Sequence, residues 1–295
     1  MRSVSVDHYE NFPVASVLCP PALRPAVVAI YHFARTADDI ADEGDAAAAE
    51  RLATLAAYRG ELVVTSTTGR APTLSRWPQV FGPLATVLQR FKLPTGLLHD
   101  LLSAFEQDTR KAVYASRAEV LDYCRLSANP VGRLLLHLYR VDDAASLARS
   151  DAICSALQLI NFWQDLSVDT ARGRLYLPVE DLARHGIAPA AFLRREDGPA
   201  ARSAIADVVA WSRQLMHDGA PLVHALPGRA GWELRLVVQG GLRILDHIEG
   251  RGLTGGGFDT LLRRPKLRGL DLPVMLARAS FMRRRRDSAR AASPA

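Results

Sequence analysis

Two rows of acidic and amide side chains are the most chemically suggestive feature of the sequence. In the stretch QLINFWQDLSVDTARGRLYLP, Asn161, Asp165 and Asp169 follow one another at four-residue steps, which places them on one face of a helix. Their neighbours are mostly apolar, and carboxylates in such a setting need a partner, a shifted pKa or a bound metal. Because aligned oxygens without nearby Cys or His suit a hard cation, this row predicts Mg²⁺ rather than zinc.

A second row precedes the first by more than a hundred residues. Tyr31, Arg35, Asp38 and Asp42 recur at steps of four, three and four in YHFARTADDIADE, with Asp39 beside them. If the two helices face each other across a cavity, the carboxylates could share two or three Mg²⁺ ions and hold a diphosphate. Arg35 would add a charged donor to the phosphate. The remaining wall would have to be apolar, with aromatic rings beside a hydrocarbon chain and its cations.

Each feature also has an ordinary structural explanation. The acidic cluster could be a solvated helix end, and Arg35 could pair with Asp38 or Asp39 within its own helix. The carboxylates around Asn161 could be partnered by arginines. Phe162, a candidate for the wall by position, is more typical of a packed core. Two similar rows in one helical chain favour the metal-binding interpretation.

The rest of the sequence predicts the helices that must carry these rows. Alternating strand patterns with hairpin turns are absent, and proline and glycine separate long helix-compatible segments. We predict an all-α fold with one domain over residues 1–282, which opens with an irregular arm, and a basic, disordered tail over residues 283–295. The predicted helices are Ala26 to Asp42, Ala47 to Val64, Trp77 to Phe91, Thr95 to Ala112, Arg117 to Tyr139, Ala144 to Thr170, Pro199 to Val223, Ala230 to Glu249 and Asp271 to Arg286.

Composition limits which cellular compartment and which classes of partner fit this protein. The net charge is +6, but five arginines and one aspartate after Met282 contribute 5 − 1 = +4 of it, so no nucleic-acid partner is expected. Cys19, Cys124 and Cys154 form neither a disulfide framework nor a metal pair, which fits a cytoplasmic protein. No apolar segment approaches the roughly 20 residues of a membrane span. Any membrane contact would be peripheral, with the basic tail at the anionic inner surface.

Three stretches of the sequence resemble the squalene and phytoene synthase family of head-to-head isoprenoid enzymes. They are the two acidic stretches and YCRLSANPVGRL, from Tyr123 to Leu134, and ENFPVAS near the start and GGLRIL at Gly240 to Leu245 strengthen the match. The resemblance covers the chain from His8 to about Leu270. It implies an isoprenoid synthase helical bundle with a central apolar cavity, in which Mg²⁺ assists the ionisation of a prenyl diphosphate.

The resemblance also implies roles for individual residues. Asp38 and Asp42, with Asp39 beside them, fall on the family's first aspartate-rich motif, and Asp165 and Asp169 fall on the second, so these five are the expected metal ligands. Arg133, in the sequence VGR, is a candidate phosphate ligand because of its residue type and its position, and not because of the resemblance. The expected catalytic residues are Tyr31, Arg35, Tyr123, Gln158 and Asn161, and the expected substrate-binding residues are Arg35, Arg133, Phe162 and Gln164.

Two departures from the wider family bear on the reaction. Gln164 stands where many relatives that join two prenyl diphosphates carry an arginine, and SANPVG, with Pro130, replaces a VAG stretch. Both favour an enzyme that runs the second half-reaction, in which presqualene diphosphate and water give hydroxysqualene on the squalene and hopanoid route. Asn161, Gln158 and Asn129 are candidates to orient that water. No NADPH is expected, and the enzymes before and after this step are expected partners.

Two alternatives remain open at this point. The chain could be a presqualene diphosphate, dehydrosqualene or phytoene synthase that condenses two prenyl diphosphates, because the depth of the cavity cannot be read from sequence. It could also be a non-catalytic helical binding or assembly protein. That second alternative predicts eroded acidic motifs, whereas both motifs are intact here.

Overall fold

The computed structural model describes residues 19–251 and 257–282, and the predicted all-α fold is confirmed within them. Helices joined by turns and loops make up the described residues, in which the one β-bridge, between Val113 and Leu175, is isolated. The helices are α1 Arg24–Asp42, α2 Ala48–Thr68, α3 Pro78–Phe91, α4 Thr95–Asp108, α5 Arg117–Ser127, α6 Asn129–Leu138, α7 Ala144–Gln164, α8 Leu166–Asp169, α9 Val179–Arg184, α10 Pro189–Leu193, α11 Pro199–Gly219, α12 Gly228–Ile248 and α13 Asp271–Ser280, with 3₁₀ turns at Thr170–Arg172 and Ala220–His224.

Two of the predicted long helices are interrupted. The segment from Arg117 to Tyr139 forms α5 and α6 with a break at Ala128. Pro130 explains the break, because it has no N–H to donate to the carbonyl of Leu126 and its ring crowds the preceding turn. The segment from Ala144 to Thr170 is also not one helix, since Asp165 leaves helical geometry with φ −101° and ψ 12°. The first break lies in the stretch YCRLSANPVGRL, and the second lies at Asp165 of the second acidic row.

Other helix ends differ from the prediction by a few residues. α4 ends at Asp108 instead of Ala112, and α13 ends at Ser280. The arm before Cys19 and the tail after Met282 lie outside the described residues, so the predictions for them stay predictions. No helix in residues 19–251 and 257–282 combines the length and the apolar composition needed to cross a bilayer.

Two apolar clusters form the core. In the first, α1 to α4 pack around Phe33, Tyr58 and Phe81, and the Tyr58 hydroxyl donates to the carbonyl of Phe33 at 3.1 Å. In the second, α5, α7, α11 and α12 surround Trp163, whose Nε1 donates to Ser212 Oγ at 2.6 Å. These buried donors fix α2 against α1 and α11 against α7. The helices that carry the two acidic rows are therefore rigidly held.

Candidate active site

A cavity of about 610 Å³ lies between α1, α6, α7 and α12. Most of its wall is apolar, with side chains such as Ile30, Leu135, Ile153, Leu157 and Val237. The predicted central apolar cavity is thus present. Six of the predicted site residues line it, namely Tyr31, Arg35, Asp38, Gln158, Asn161 and Asp165.

The first acidic row lies on the face of α1 opposite its buried face. Ile30, Phe33 and Ala37 pack into the core, which leaves Arg35 and the aspartates at the cavity end and the surface. Arg35 Nη1 donates to Asp38 Oδ2 at 3.0 Å, and its Nη2 lies 2.6 Å from Asp39 Oδ1. The local ion pairs considered from the sequence therefore form. A bound phosphate would compete for the same guanidinium.

The second row runs from the end of α7 into α8. The N–H of Asp165 donates to the carbonyl of Asn161 at 2.9 Å, and the N–H of Asp169 donates to the carbonyl of Asp165 at 2.9 Å. These bonds keep the three residues at successive turns although the helix bends at Asp165. The predicted spacing on one face survives, and the prediction of one uninterrupted helix is wrong.

Arginines from outside both rows bring the two rows together. Arg172 and Arg174, just after α8, both pair with Asp42 on α1, and the Arg172 Nη1 to Asp42 Oδ2 distance is 3.3 Å. Arg264, from the segment before α13, pairs with Asp165, with Nη2 3.0 Å from Oδ2. The two acidic rows consequently lie at the same end of the cavity. There, arginine guanidinium groups contact the carboxylates that a metal cation would bind.

Two carboxyl groups at this end are strongly affected by their surroundings. Burial raises the pKa of Asp169 to about 7, and the charges of Asp165 and Asp42 add to the rise against two nearby arginines. Burial also raises the pKa of Asp108 to about 7, with Asp38 and Asp42 contributing in the same direction. Crowded, desolvated carboxylates of this kind gain from a bound cation.

Sequence reasoning missed Asp108. It is the last residue of α4, its Oδ2 accepts a hydrogen bond from the Tyr123 hydroxyl at 2.9 Å, and its Oδ1 is buried without a partner. Within the sequence FEQDTRK, Asp108 has no acidic residue at a helical spacing that would indicate a site, because the side chains around it in the structure come from other parts of the chain. Arg172, Arg174 and Arg264 were missed for the same reason.

Two predicted aromatic residues lie behind the cavity wall. Tyr123 is buried and its hydroxyl bonds to Asp108, while Phe162 stacks on Tyr176 with ring centroids 3.8 Å apart and planes 5° from parallel. Neither is among the described residues that line the cavity. Phe162 thus has the core position that aromatic residues usually take, and Tyr123 reaches the acidic end through Asp108.

Two further predicted residues have structural partners outside the cavity. Arg133 forms a two-pronged ion pair with Asp151, at 2.9 and 2.6 Å, on the outer side of α6 and α7. Gln164 is buried and its Nε2 donates to the carbonyl of Pro265 at 2.7 Å. Because Pro265 follows Arg264, this bond holds the segment whose arginine reaches Asp165. The structure does not bring Arg133 or Gln164 to the cavity wall.

The donor set fits Mg²⁺. Within the described residues, no three His, Cys, Asp or Glu side chains are grouped closely enough to enclose an ion. Mg²⁺ takes one or two carboxylates and completes its shell with water and phosphate oxygens, so paired aspartates facing a diphosphate are the arrangement it needs. At this end the buried Oδ1 of Asp108 has no hydrogen-bond partner, and Asp42 and Asp165 are paired with arginines that Mg²⁺ would have to replace.

Comparisons with known proteins agree with this geometry. The family model described as squalene/phytoene synthase matches residues 6–271. Hydroxysqualene synthase from Rhodopseudomonas palustris is 32% identical over 283 residues, which cover 95% of this chain and 90% of that one. Hydroxysqualene synthase from Sinorhizobium fredii is 38% identical over 186 residues, but the match spans 60% of its length and 63% of this chain.

A solved structure shows the same architecture. The crystal structure of squalene synthase HpnC from Alicyclobacillus acidocaldarius superposes with a TM-score of 0.75 at 35% identity and covers 84% of this chain and 91% of its own. Relatives named phytoene synthase and presqualene diphosphate synthase also match. Both the acidic motifs and the overall fold therefore lead to the same conclusion: the chain belongs to the squalene/phytoene synthase family.

Proposed function

We propose that the protein is a Mg²⁺-dependent hydroxysqualene synthase, which converts presqualene diphosphate and water to hydroxysqualene and diphosphate. The observation that carries the proposal is the division of the cavity into one charged end and a long apolar wall. Ser150 on α7 and Asp165, the residue after that helix, both line the cavity, and fifteen residues at helical rise span roughly 22 Å. A prenyl diphosphate has the same division between a charged head and a long hydrocarbon.

The charged end suits the departure of diphosphate. Asp38, Asp42, Asp165 and Asp169 would hold Mg²⁺, two or three ions in this proposal, and bound Mg²⁺ would neutralise the charge that develops on the leaving group. The arginines that pair with these aspartates can transfer their hydrogen bonds to diphosphate oxygens. Arg35 is one of them, on the cavity wall itself.

Polar side chains just below the charged end support hydration as the second step. Asn161 and Gln158, both on α7, line the cavity one and two turns before Asp165. Asn129, the third candidate to orient water, accepts a hydrogen bond from Ser155 at 2.9 Å and is mostly buried. In this proposal water and not hydride captures the cation, so NADPH is not required.

A condensing enzyme is the second candidate, because relatives named phytoene synthase and presqualene diphosphate synthase are 33% and 32% identical to this chain over the matched residues. One experiment separates the two functions. Purified protein is incubated with Mg²⁺ and, in separate reactions, farnesyl, geranylgeranyl or presqualene diphosphate without nicotinamide, and the products are identified by mass. Hydroxysqualene from presqualene diphosphate supports the proposal. A coupled product from farnesyl or geranylgeranyl diphosphate alone would support the condensing function instead. Mg²⁺ binding without turnover of any substrate would support a non-catalytic role.

We also propose a peripheral contact with the inner membrane surface for this cytoplasmic enzyme. The last described helix, α13, exposes Leu272 and Leu276, and Phe281 directly after it is also exposed; the three are 52%, 43% and 76% accessible. Four arginines, Arg283 to Arg286, follow directly in the sequence. Exposed apolar side chains next to a basic run match a bilayer surface with anionic lipid, where the substrate and product dissolve and neighbouring pathway enzymes would exchange them.

A further inference from the structure

Two neighbouring residues at the end of α7 contact two neighbouring residues of a distant segment. The Gln164 Nε2 donates to the carbonyl of Pro265 at 2.7 Å, and Arg264 Nη2 donates to Asp165 Oδ2 at 3.0 Å. Because Gln164 directly precedes Asp165 and Arg264 directly precedes Pro265, the two contacts close a ring of four residues. Each contact therefore limits the freedom of the other.

The two contacts differ in their exposure to water. Gln164 is 3% accessible, so its bond to Pro265 is largely shielded, whereas the side chains of Arg264 and Asp165 are 40% and 27% accessible. An exposed ion pair contributes little on its own, because water screens the charges and a long side chain loses conformational freedom. A buried amide that loses its partner is costly. The bond from Gln164 is consequently the firmer of the two contacts.

The backbone of this segment transmits the position of Pro265 to Arg264. Residues 263–268, all of them described, form a connection without helix or turn. A residue before proline is restricted to extended backbone conformations, and the proline ring fixes its own φ at about −65°. Once Gln164 holds the Pro265 carbonyl, few backbone conformations remain for Arg264. The direction in which the Arg264 side chain leaves the segment is thereby fixed.

The segment is also attached at both of its ends. The N–H of Phe258 donates to the carbonyl of Ile248 at 2.6 Å, and the N–H of Arg268 donates to Asp271 Oδ2 at 2.7 Å. These attachments lie six residues before and four residues after Arg264, which is too far to define the position of its side chain. Gln164 holds the segment between them, at the residue next to Arg264.

We propose that Gln164 is a positioning residue for diphosphate binding. It holds the Pro265 carbonyl and thereby keeps the Arg264 guanidinium at the charged end of the cavity, which both Arg264 and Asp165 line. On ligand binding the guanidinium exchanges the Asp165 carboxylate for diphosphate oxygens, and a backbone that is already fixed lowers the entropic cost of this exchange. Gln164 itself does not touch the ligand. This role rests on the part of the proposed function that places diphosphate and Mg²⁺ at this end.

A double-mutant cycle tests whether Gln164 acts through Arg264. Isothermal titration calorimetry measures the dissociation constant of inorganic diphosphate at saturating Mg²⁺ for the full-length wild type, Gln164→Met, Arg264→Gln and the double variant. Methionine is close to glutamine in volume but has no N–H, so it removes the bond to Pro265 and keeps the packing.

The expected result is a strongly non-additive cycle. Gln164→Met should weaken diphosphate binding about fivefold, as the loss of one hydrogen bond allows, and Arg264→Gln should weaken it about tenfold or more. In the Arg264→Gln background, Gln164→Met should change the affinity by less than about twofold, because the side chain that it positions is then absent.

Arg263→Gln is the matched control, because it removes the same charge from the neighbouring residue. The Arg263 side chain is 71% accessible and pairs with Asp259 at 2.7 Å. Its replacement should leave diphosphate affinity within about twofold of the wild type, and Gln164→Met should still weaken binding about fivefold in this background. Gln164→Asn, whose amide is one methylene short of Pro265, is the second variant should Gln164→Met fail to fold, as judged by circular dichroism.

Two results would overturn this role. One is wild-type diphosphate affinity in Gln164→Met, even if its urea midpoint is lower, since the bond to Pro265 would then serve stability alone. The other is an equal fold-loss of affinity with and without Arg264, which would show that Gln164 does not act through that arginine. If the wild type binds no diphosphate, this role and the proposed metal site fail together. If it binds diphosphate but forms no hydroxysqualene, the proposed reaction fails and the cycle still decides the role of Gln164.

Discussion

Replacing Asp169 by Asn is expected to stabilise the metal-free protein at pH 8 while abolishing its activity. Burial, with the charges of Asp165 and Asp42, raises the pKa of Asp169 from 3.8 to about 7. Because the folded-state pKa is the higher one, the folded protein binds this proton more tightly than the unfolded chain does. The contribution of Asp169 to stability is therefore complete below about pH 4 and is lost as the pH rises through 7.

The magnitude follows from the difference between the two pKa values. A difference of 7 − 3.8, about 3 pH units, at about 1.36 kcal/mol each gives roughly 4 kcal/mol as an upper limit for the ionised carboxylate. Rearrangement of the neighbouring arginines reduces this, so we expect Asp169→Asn to gain about 2 to 3 kcal/mol of unfolding free energy at pH 8. The gain should almost vanish near pH 4, where the carboxyl group is protonated in the folded protein.

Urea unfolding in the presence of EDTA, at several pH values between 4 and 8, measures this gain. Addition of Mg²⁺ and inorganic diphosphate should then raise the urea midpoint of the wild type and not that of Asp169→Asn, because a neutral amide is a poor ligand for Mg²⁺. Asp165→Asn is the control with the opposite sign. It removes the ion pair with Arg264, so its stability should stay equal or fall by up to about 1 kcal/mol, although turnover is again nearly abolished.

The reasoning is refuted if Asp169→Asn is less stable than the wild type at pH 8. A gain of the same size at pH 4 and pH 8 would also refute it, since the effect could not then come from ionisation of the carboxyl group. Wild-type turnover in either variant would remove that aspartate from the proposed set of metal ligands.

Three further predictions concern packing, substrate binding and the membrane. Gly219→Ala should lower the unfolding free energy, measured by urea titration, by about 1 to 3 kcal/mol, because the new Cβ would lie 2.6 Å from a backbone carbonyl oxygen of α7. Gly60→Ala is the control: its Cβ would meet no atom within 4 Å, so the same titration should show a rise of roughly 0.5 to 1 kcal/mol. Arg174→Gln should raise the KM for presqualene diphosphate about tenfold or more, since it removes a charged donor beside the aspartates, and unchanged steady-state kinetics would contradict this. Leu276→Ser with Phe281→Ser should reduce co-sedimentation with anionic vesicles without changing the melting temperature, and equal binding would exclude these exposed apolar side chains as the contact.

The two acidic rows illustrate what could be predicted from the sequence. The four-residue spacing of Asp38 and Asp42, and of Asp165 and Asp169, follows from helical periodicity, which is a local property. The all-α fold was predictable for the same reason, because each helix is bounded by its own prolines and glycines. Even the break before α6 could have been anticipated from Pro130.

The partners of these rows could not be predicted in this way. Arg264 reaches Asp165 across 99 residues of chain, and Arg174 reaches Asp42 across 132. Such contacts depend on how every intervening helix packs, and no local spacing records them. Gln164 shows the same limit: its type suggested a role in choosing the reaction, and the structure shows it bonded to Pro265, where it holds the segment that carries Arg264.

The sequence by itself therefore determined the fold class, the family and the two aspartate pairs, because each depends on residue types at short, regular spacings. The tertiary structure decided which charges surround those pairs, that Asp108 joins them, and that one carboxylate oxygen of Asp108 is left without a hydrogen-bond partner. Burial and long-range contacts set pKa values and unused hydrogen-bonding capacity, and both arise only after distant helices have packed together.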